Sequence, residues 1–158
     1  MNSERTRPAV RRATEADAPA VARLLDAFNH EYDEPTPGVD VLATRAARMI
    51  ANAEIVVLLV GDGPAGLAQL ASRASIWADA PDMYLAELYV IPERRGEGLG
   101  RALLAAAIEV ARAAGSAVID LSTSEDDVAA RGLYAAMGFT DRERGSEGPR
   151  LLYFEREL

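Results

Sequence analysis

Apolar residues recur along this chain in two rhythms, and the rhythm changes where glycine or proline intervenes. Val21, Leu24, Leu25 and Phe28 stand at the spacing of one helix face, behind a Thr14 and Asp17 pair that has the form of a capping box. Leu42, Ala46, Met49 and Ile50 repeat that spacing up to about Asn52. Between these helices, His30 to Gly38 contains three acids and two prolines and reads as an acidic loop.

Shorter apolar runs read as strands: Ala9 to Arg12, Glu54 to Val60, Ala65 to Ser72, Met83 to Ile91 and Ala117 to Ser122. The turn Gly61-Asp62-Gly63-Pro64 joins the second and third as a hairpin. Helical spacing returns at Leu103, Leu104, Ala107, Ile108 and Ala111, closed by Gly115. It returns again over Asp127 to Met137, where Gly138 suits a left-handed cap. Phe139 to Arg144 and Leu151 to Glu157 are expected to pair as a final hairpin, its Leu151, Leu152, Tyr153 and Phe154 serving a core or an interface. The order is βααβββαβαββ, an α/β (α+β) domain over residues 1–158 with no repeat and no dividing linker.

Composition narrows the function classes. A chain of 158 residues that is 49% apolar is ample for one core. With no cysteine there is neither a disulfide framework nor a thiolate nucleophile, and a single histidine is a poor start for a zinc site. No secretory signature and no apolar run of about 18 residues is present, so a cytoplasmic protein that does not cross a membrane is expected. The net charge of −8 argues against a nucleic-acid partner and favours a cationic small molecule.

The segment richest in chemistry is the turn Arg95-Gly96-Glu97-Gly98-Leu99-Gly100 between a strand and a helix. Its glycines let successive backbone N–H groups point into one concavity at a helix N-terminus, a cradle for a pyrophosphate, with Arg94, Arg95 and Arg101 adding charge. The absence of Gly-Lys-Ser/Thr excludes a nucleotide P-loop, and Arg101 stands where a dinucleotide fingerprint has its third glycine. A tight turn built for backbone geometry alone is the other reading of such a glycine triplet.

Arg95, Gly98 and Gly100, preceded by Leu88-Tyr89-Val90-Ile91-Pro92, resemble the acyl-coenzyme A motif of the GNAT superfamily, Arg/Gln-x-x-Gly-x-Gly/Ala. Ala130-Arg131-Gly132-Leu133-Tyr134 with Met137-Gly138-Phe139 resembles its second signature. The resemblance covers roughly Ala9 to the C-terminus. It implies the GNAT fold, a mixed, mostly antiparallel sheet flanked by helices. It further implies acetyl-coenzyme A as co-substrate, a small-molecule amine as acceptor and a homodimer as a family habit.

The same resemblance implies backbone contacts from Leu88, Tyr89 and Val90 to the pantetheine arm, and from Arg95, Gly96, Glu97, Gly98, Leu99, Gly100 and Arg101 to the pyrophosphate. Asp127 stands where many relatives carry an asparagine that touches the pantetheine, which makes that contact a departure from the pattern. Arg131 is expected on a solvated helix face, with a phosphate as its other partner.

Acetylating an amine requires a neutral nitrogen, yet an alkyl ammonium with a pKa near ~10.4 is unprotonated only about once in a few thousand at neutral pH. Glu87 interrupts the apolar run Tyr84 to Ile91, and a carboxylate buried there would have its pKa raised towards that of a useful base. A salt bridge or a solvent-facing strand end is the competing reading. Tyr134, inside the second motif, resembles the family's general acid for the departing thiolate; a core tyrosine is its plainer reading. Glu31 and Asp33, with Glu34 beside them, and Trp77, with His30 and Tyr32, are the acceptor-site candidates, against a merely solvated acidic loop. The expected activity is acetyl transfer to a polyamine-like or aminoglycoside-like amine. Acetylation of a protein amine, and a non-catalytic acyl-coenzyme A sensor, are the alternatives.

Overall fold

The computed structural model describes residues 8–158. The described residues form two compact units, one up to Asp120 and the other Leu121–Leu158. In the first, β1 (Val10–Arg12) leads through a 3-10 turn (Glu15–Asp17) into α1 (Ala18–Glu31) and α2 (Val39–Ala51). Strands β2 (Val56–Val60), β3 (Gly66–Arg73) and β4 (Asp82–Val90) follow, then α3 (Leu99–Ala113) and β5 (Ile119–Asp120). The second unit holds α4 (Val128–Ala136).

The strands lie side by side in chain order, antiparallel from β1 to β4 and parallel between β4 and β5. This is the expected mixed, mostly antiparallel sheet. Its two faces explain why Val56 to Val60 is an unbroken apolar run. Val57 and Leu59 join Leu67 and Tyr89 in a core with Val21, Leu24 and Ala46 of α1 and α2. Leu58 and Val60 are turned to the other face and are equally buried. There α3 contributes Leu103, Leu104 and Ala107, all fully buried. A side chain on Gly66 would collide with the Tyr89 carbonyl oxygen at 2.6 Å and crowd Val90 and Leu103, so glycine permits this close approach.

The Thr14 and Asp17 capping box forms as expected, and Arg11 adds a two-pronged pair to Asp17 at 2.7 and 2.8 Å. Gly115 and Gly138 both take the left-handed conformation after their helices. Around Gly138 the bonds are Gly138 N–H to Ala135 C=O and Phe139 N–H to Tyr134 C=O, a Schellman closure.

Two expectations need correction. Helix α1 runs on to Glu31, so the loop begins at Tyr32, and His30 and Glu31 belong to the last helical turn. The final hairpin does not form: between 139 and 158 the only ladder contact among the described residues is the bridge of Arg142 to Arg150. Glu143 N–H bonds to the Pro149 carbonyl, but Pro149 has no N–H to return, and positive φ at Arg144 and Gly145 bends the chain away from strand geometry. Leu152, Tyr153 and Phe154 are accordingly 70–84% exposed, which removes the core reading for them.

Ala53 closes α2 in the same Schellman manner at φ 54°, with Ala53 N–H on Ile50 C=O and Glu54 N–H on Met49 C=O. An alanine held left-handed carries a steric cost that glycine lacks. Ala53→Gly is expected to stabilise the protein by about 0.5–1 kcal/mol. Urea unfolding would show this as a higher midpoint, and a lower one would refute it.

Candidate active site

Strand β4 is bonded along one edge and open along most of the other. It pairs with β5 only at Met83 and Tyr84, and beyond them no strand among the described residues joins that edge. Ile91 N–H donates to the Ala65 carbonyl at 2.9 Å, so the Val90 carbonyl, on the far side of the same peptide plane, must point away from β3. It does, accepting a bond from Arg95 Nε at 2.9 Å. Alternation then turns the backbone groups of Leu88 and Val90 to the open edge and those of Tyr89 and Glu87 to β3. Of the three residues expected to offer backbone to a pantetheine arm, Leu88 and Val90 are so oriented, while Tyr89 is spent on the ladder.

The ladder breaks once. Gln69 faces Glu87 and Leu70 faces Leu85, leaving Ala86 as an extra residue in β4. Without it, Leu85 and Glu87 would share a face. With it, Leu85 joins Leu70 on the α3 face, and Glu87 joins Gln69, Leu67 and Tyr89 on the face covered by α1 and α2. This irregularity of the ladder lies at Ala86, ahead of Leu88 and Val90, because the register changes there.

The Glu87 side chain is half-buried and makes no hydrogen bond or ion pair among the described residues. Burial raises its pKa above the ordinary glutamate value. The salt-bridge reading fails on this geometry.

Beyond β4, Gly96 and Gly98 have φ of 77° and 83°, and Gly98 is the N-cap of α3. A side chain at either would meet nothing, so their requirement is backbone conformation and not space. Gly100 lies in the first turn of α3, no side chain caps that helix, and Leu99 anchors it by being buried. Unsatisfied N–H groups of the first turn thus remain at the helix's positive end. The arginines are not equivalent. Arg94 is committed to Glu97 at 2.8 Å and Arg95 to Glu31 at 2.7 Å, whereas Arg101 has no ion pair among the described residues.

Glu31, Tyr32, Tyr89 and Arg95 are brought together. Tyr89 stacks on Phe28 at 5.1 Å, Phe28 meets Tyr32 edge-on at 5.2 Å, and the Arg95 guanidinium sits 5.7 Å from the Tyr89 ring centre. The Arg95 bond lowers the Glu31 pKa, and burial beside Glu31 raises that of Tyr89. Asp33 takes a left-handed conformation where the chain leaves α1. His30 turns Nδ1 to the Asp26 carbonyl, and Trp77, 94% exposed, stands on the β3–β4 loop outside this cluster. Sequence reasoning missed Phe28 and Gln69 as site neighbours; only tertiary pairing reveals them.

In the second unit, Asp127 caps α4 by accepting from Ala130 N–H at 3.0 Å. Arg131 is exposed and donates to the Glu125 carbonyl. Tyr134 is half-buried, its ring 5.9 Å from that of Phe139.

The model of the acetyltransferase (GNAT) family matches residues 20–139. The chain belongs to this family. Aminoglycoside N(6')-acetyltransferase type 1 of Stenotrophomonas maltophilia is 33% identical over 96% of the chain and 94% of its own length. Mycothiol acetyltransferase of Beutenbergia cavernae is 32% identical over 80% of the chain, an alignment that spans only 42% of that longer protein. A crystal structure of a candidate acetyltransferase from Arthrobacter sp. FB24 superposes with a TM-score of 0.87 at 46% identity, covering 95% of the chain and 96% of its own. The chain is thus a GNAT acetyltransferase. Among its described residues no helix is long and apolar enough to cross a membrane, and no cluster of His, Asp and Glu is able to hold a metal ion.

The raised pKa of Glu87 gives a stability prediction with a definite sign. The folded state keeps the Glu87 proton to higher pH than the unfolded chain, so stability falls as pH rises from the ordinary glutamate range through the raised value. Glu87→Gln removes that cost. Its unfolding free energy is expected to match wild type well below the window and to exceed it at neutral pH. Thermal melts across pH check this, and a variant less stable at neutral pH contradicts it.

Proposed function

We propose that this GNAT enzyme acetylates a small cationic amine by direct attack on acetyl-coenzyme A, with residues 1–158 acting as one catalytic domain. The observation that carries the reading is Glu87, whose side chain has no partner among the described residues, on the strand whose outer edge is open.

The residues fit the co-substrate. The arm of coenzyme A carries amides and is peptide-like, so Leu88 N–H and C=O and Val90 N–H offer it strand-type bonds along the edge. The turn at Gly96 and Gly98, the first N–H groups of α3 and the free charge of Arg101 are suited to the pyrophosphate. Bound there, acetyl-coenzyme A supplies an acetyl group activated as a thioester.

The protein's part is proton management. Glu87, made more basic than an exposed glutamate by burial, takes a proton from the acceptor's ammonium and frees the nitrogen lone pair. Whichever open-edge N–H of β4 the arm does not engage is available to a developing oxyanion. Tyr134 is assigned the general acid that protonates the departing sulfur, on the strength of its place in the motif that ends in Gly138 and Phe139. Asp127, already capping its helix, is given no more than an auxiliary contact to the cofactor.

The acceptor class follows from charge. With Glu31 neutralised by Arg95, the acids left to attract a cation near the end of α1 are Asp33 and Glu34, with Glu87 on the strand. The relative named for aminoglycoside N(6')-acetylation, similar over nearly its whole length, supports an amine of this kind. Asp33 and Trp77 remain the proposed acceptor contacts.

Thiol release from acetyl-coenzyme A, measured with a panel of polyamines, aminoglycosides, amino acids and N-terminal peptides, tests the reading. Turnover is expected with polycationic small amines. Coenzyme binding with silence across the panel would point instead to a sensor. Tyr134→Phe is expected to lower kcat by about 10²-fold or more while leaving coenzyme A affinity within a factor of about two, as loss of a general acid should. Equal losses in both would remove that role.

A further inference from the structure

We infer that Arg95 is a strut and not a pyrophosphate ligand, and that Glu31 is the positioning residue that holds it between the end of α1 and the end of β4. The inference rests on the reading of the β4 edge as the coenzyme site and deepens it.

Arg95 has little left to offer an anion. Its Nε donates to the Val90 carbonyl at 2.9 Å, and its two terminal nitrogens reach the two Glu31 oxygens at 2.7 Å each. A planar fork engaged by both carboxylate oxygens is neutralised and fixed in orientation. The guanidinium carbon lies over the Tyr89 ring at 5.7 Å from its centre, and Phe28 stacks on the same ring at 5.1 Å. Moving Arg95 to a phosphate would strand Glu31 in this partly enclosed place and release the Val90 carbonyl. Arg101, in the first turn of α3 and without an ion pair among the described residues, carries no such commitment.

The geometry also says what the strut does. Val90 belongs to the edge offered to the coenzyme, and bonding its carbonyl to Arg95 fixes the direction of its peptide groups. Glu31 is the last residue of α1, and the loop Tyr32 to Gly38, which carries the proposed acceptor-attracting acids, starts at the next residue. Arg95 therefore ties the origin of that loop to the end of the coenzyme strand. Glu31 contributes to the cofactor side although it was expected on the acceptor side.

Titration of coenzyme A, without any acceptor, distinguishes a strut from a phosphate ligand. Wild type, Glu31→Gln, Arg95→Gln, the double variant and Arg101→Gln are compared by calorimetry at low and high salt, with circular dichroism verifying the fold. The strut predicts that Glu31→Gln and Arg95→Gln each weaken binding by about fivefold. It also predicts that the double variant is no weaker than either, and that all three keep the wild-type salt dependence. Arg101→Gln is expected to weaken binding and to lose part of that dependence. Arg95→Lys is added should the glutamine variants fail to fold. It keeps the charge but loses the fork, so the strut predicts the fivefold loss and a phosphate contact predicts near wild-type affinity.

Loss of salt dependence in Arg95→Gln with undiminished binding in Glu31→Gln would overturn the inference, as would multiplying effects in the double variant. Because no acceptor is present, a wrong acceptor class leaves these titrations unaffected. Failure of wild type to bind coenzyme A would overturn the site itself.

Discussion

A peptide group within a strand can serve one neighbour only, and in β4 this constraint governs nearly everything that follows. One edge of β4 is consumed by β3, and the other is shared with β5 for just two residues. The rest of that edge presents backbone donors and acceptors that a folded chain ordinarily pairs or covers. A peptide-like ligand arm is one means of satisfying them, and the fold provides the gap by letting β5 end at Asp120. The single extra residue at Ala86 then decides which side chains accompany the open edge. It sends Glu87 to the side of Tyr89 and α1, where burial makes it more basic.

Charge is distributed with similar economy. The chain carries −8 overall, yet the turn before α3 gathers Arg94, Arg95 and Arg101. Counting them as three positive charges would mislead. Glu97 and Glu31 neutralise two, leaving Arg101 with the helix N-terminus as the local positive field. The partnered arginines act through geometry: Arg94 closes its own turn, and Arg95 joins elements 64 residues apart in sequence.

Much of the fold was legible because its signals are local. A capping box needs only Thr14 and Asp17, and left-handed helix ends at Gly115 and Gly138 need only the glycine. The run from Val56 to Val60 announced a strand but not that both its faces would be buried. The last hairpin, by contrast, is suggested by the sequence and absent from the fold, because apolar residues at 151–154 look like a strand wherever they stand. A bond that Pro149 is unable to return lies outside any count of apolar positions.

By itself, then, the sequence determined the family, the order of elements and the chemistry available: two glycines able to hold positive φ, a carboxylate in an apolar strand, and a tyrosine in the second motif. Each is a property of a residue and its near neighbours. Only tertiary structure decided that Leu88 and Val90, not Tyr89, face the open edge, that Glu87 lies on the α1 side of the sheet, and that Glu31 belongs to Arg95. Those outcomes depend on strand register and on partners distant in the chain. Register shifts by one residue at Ala86 without any mark in the sequence, and an ion pair is specified by where two side chains end, not by which two they are.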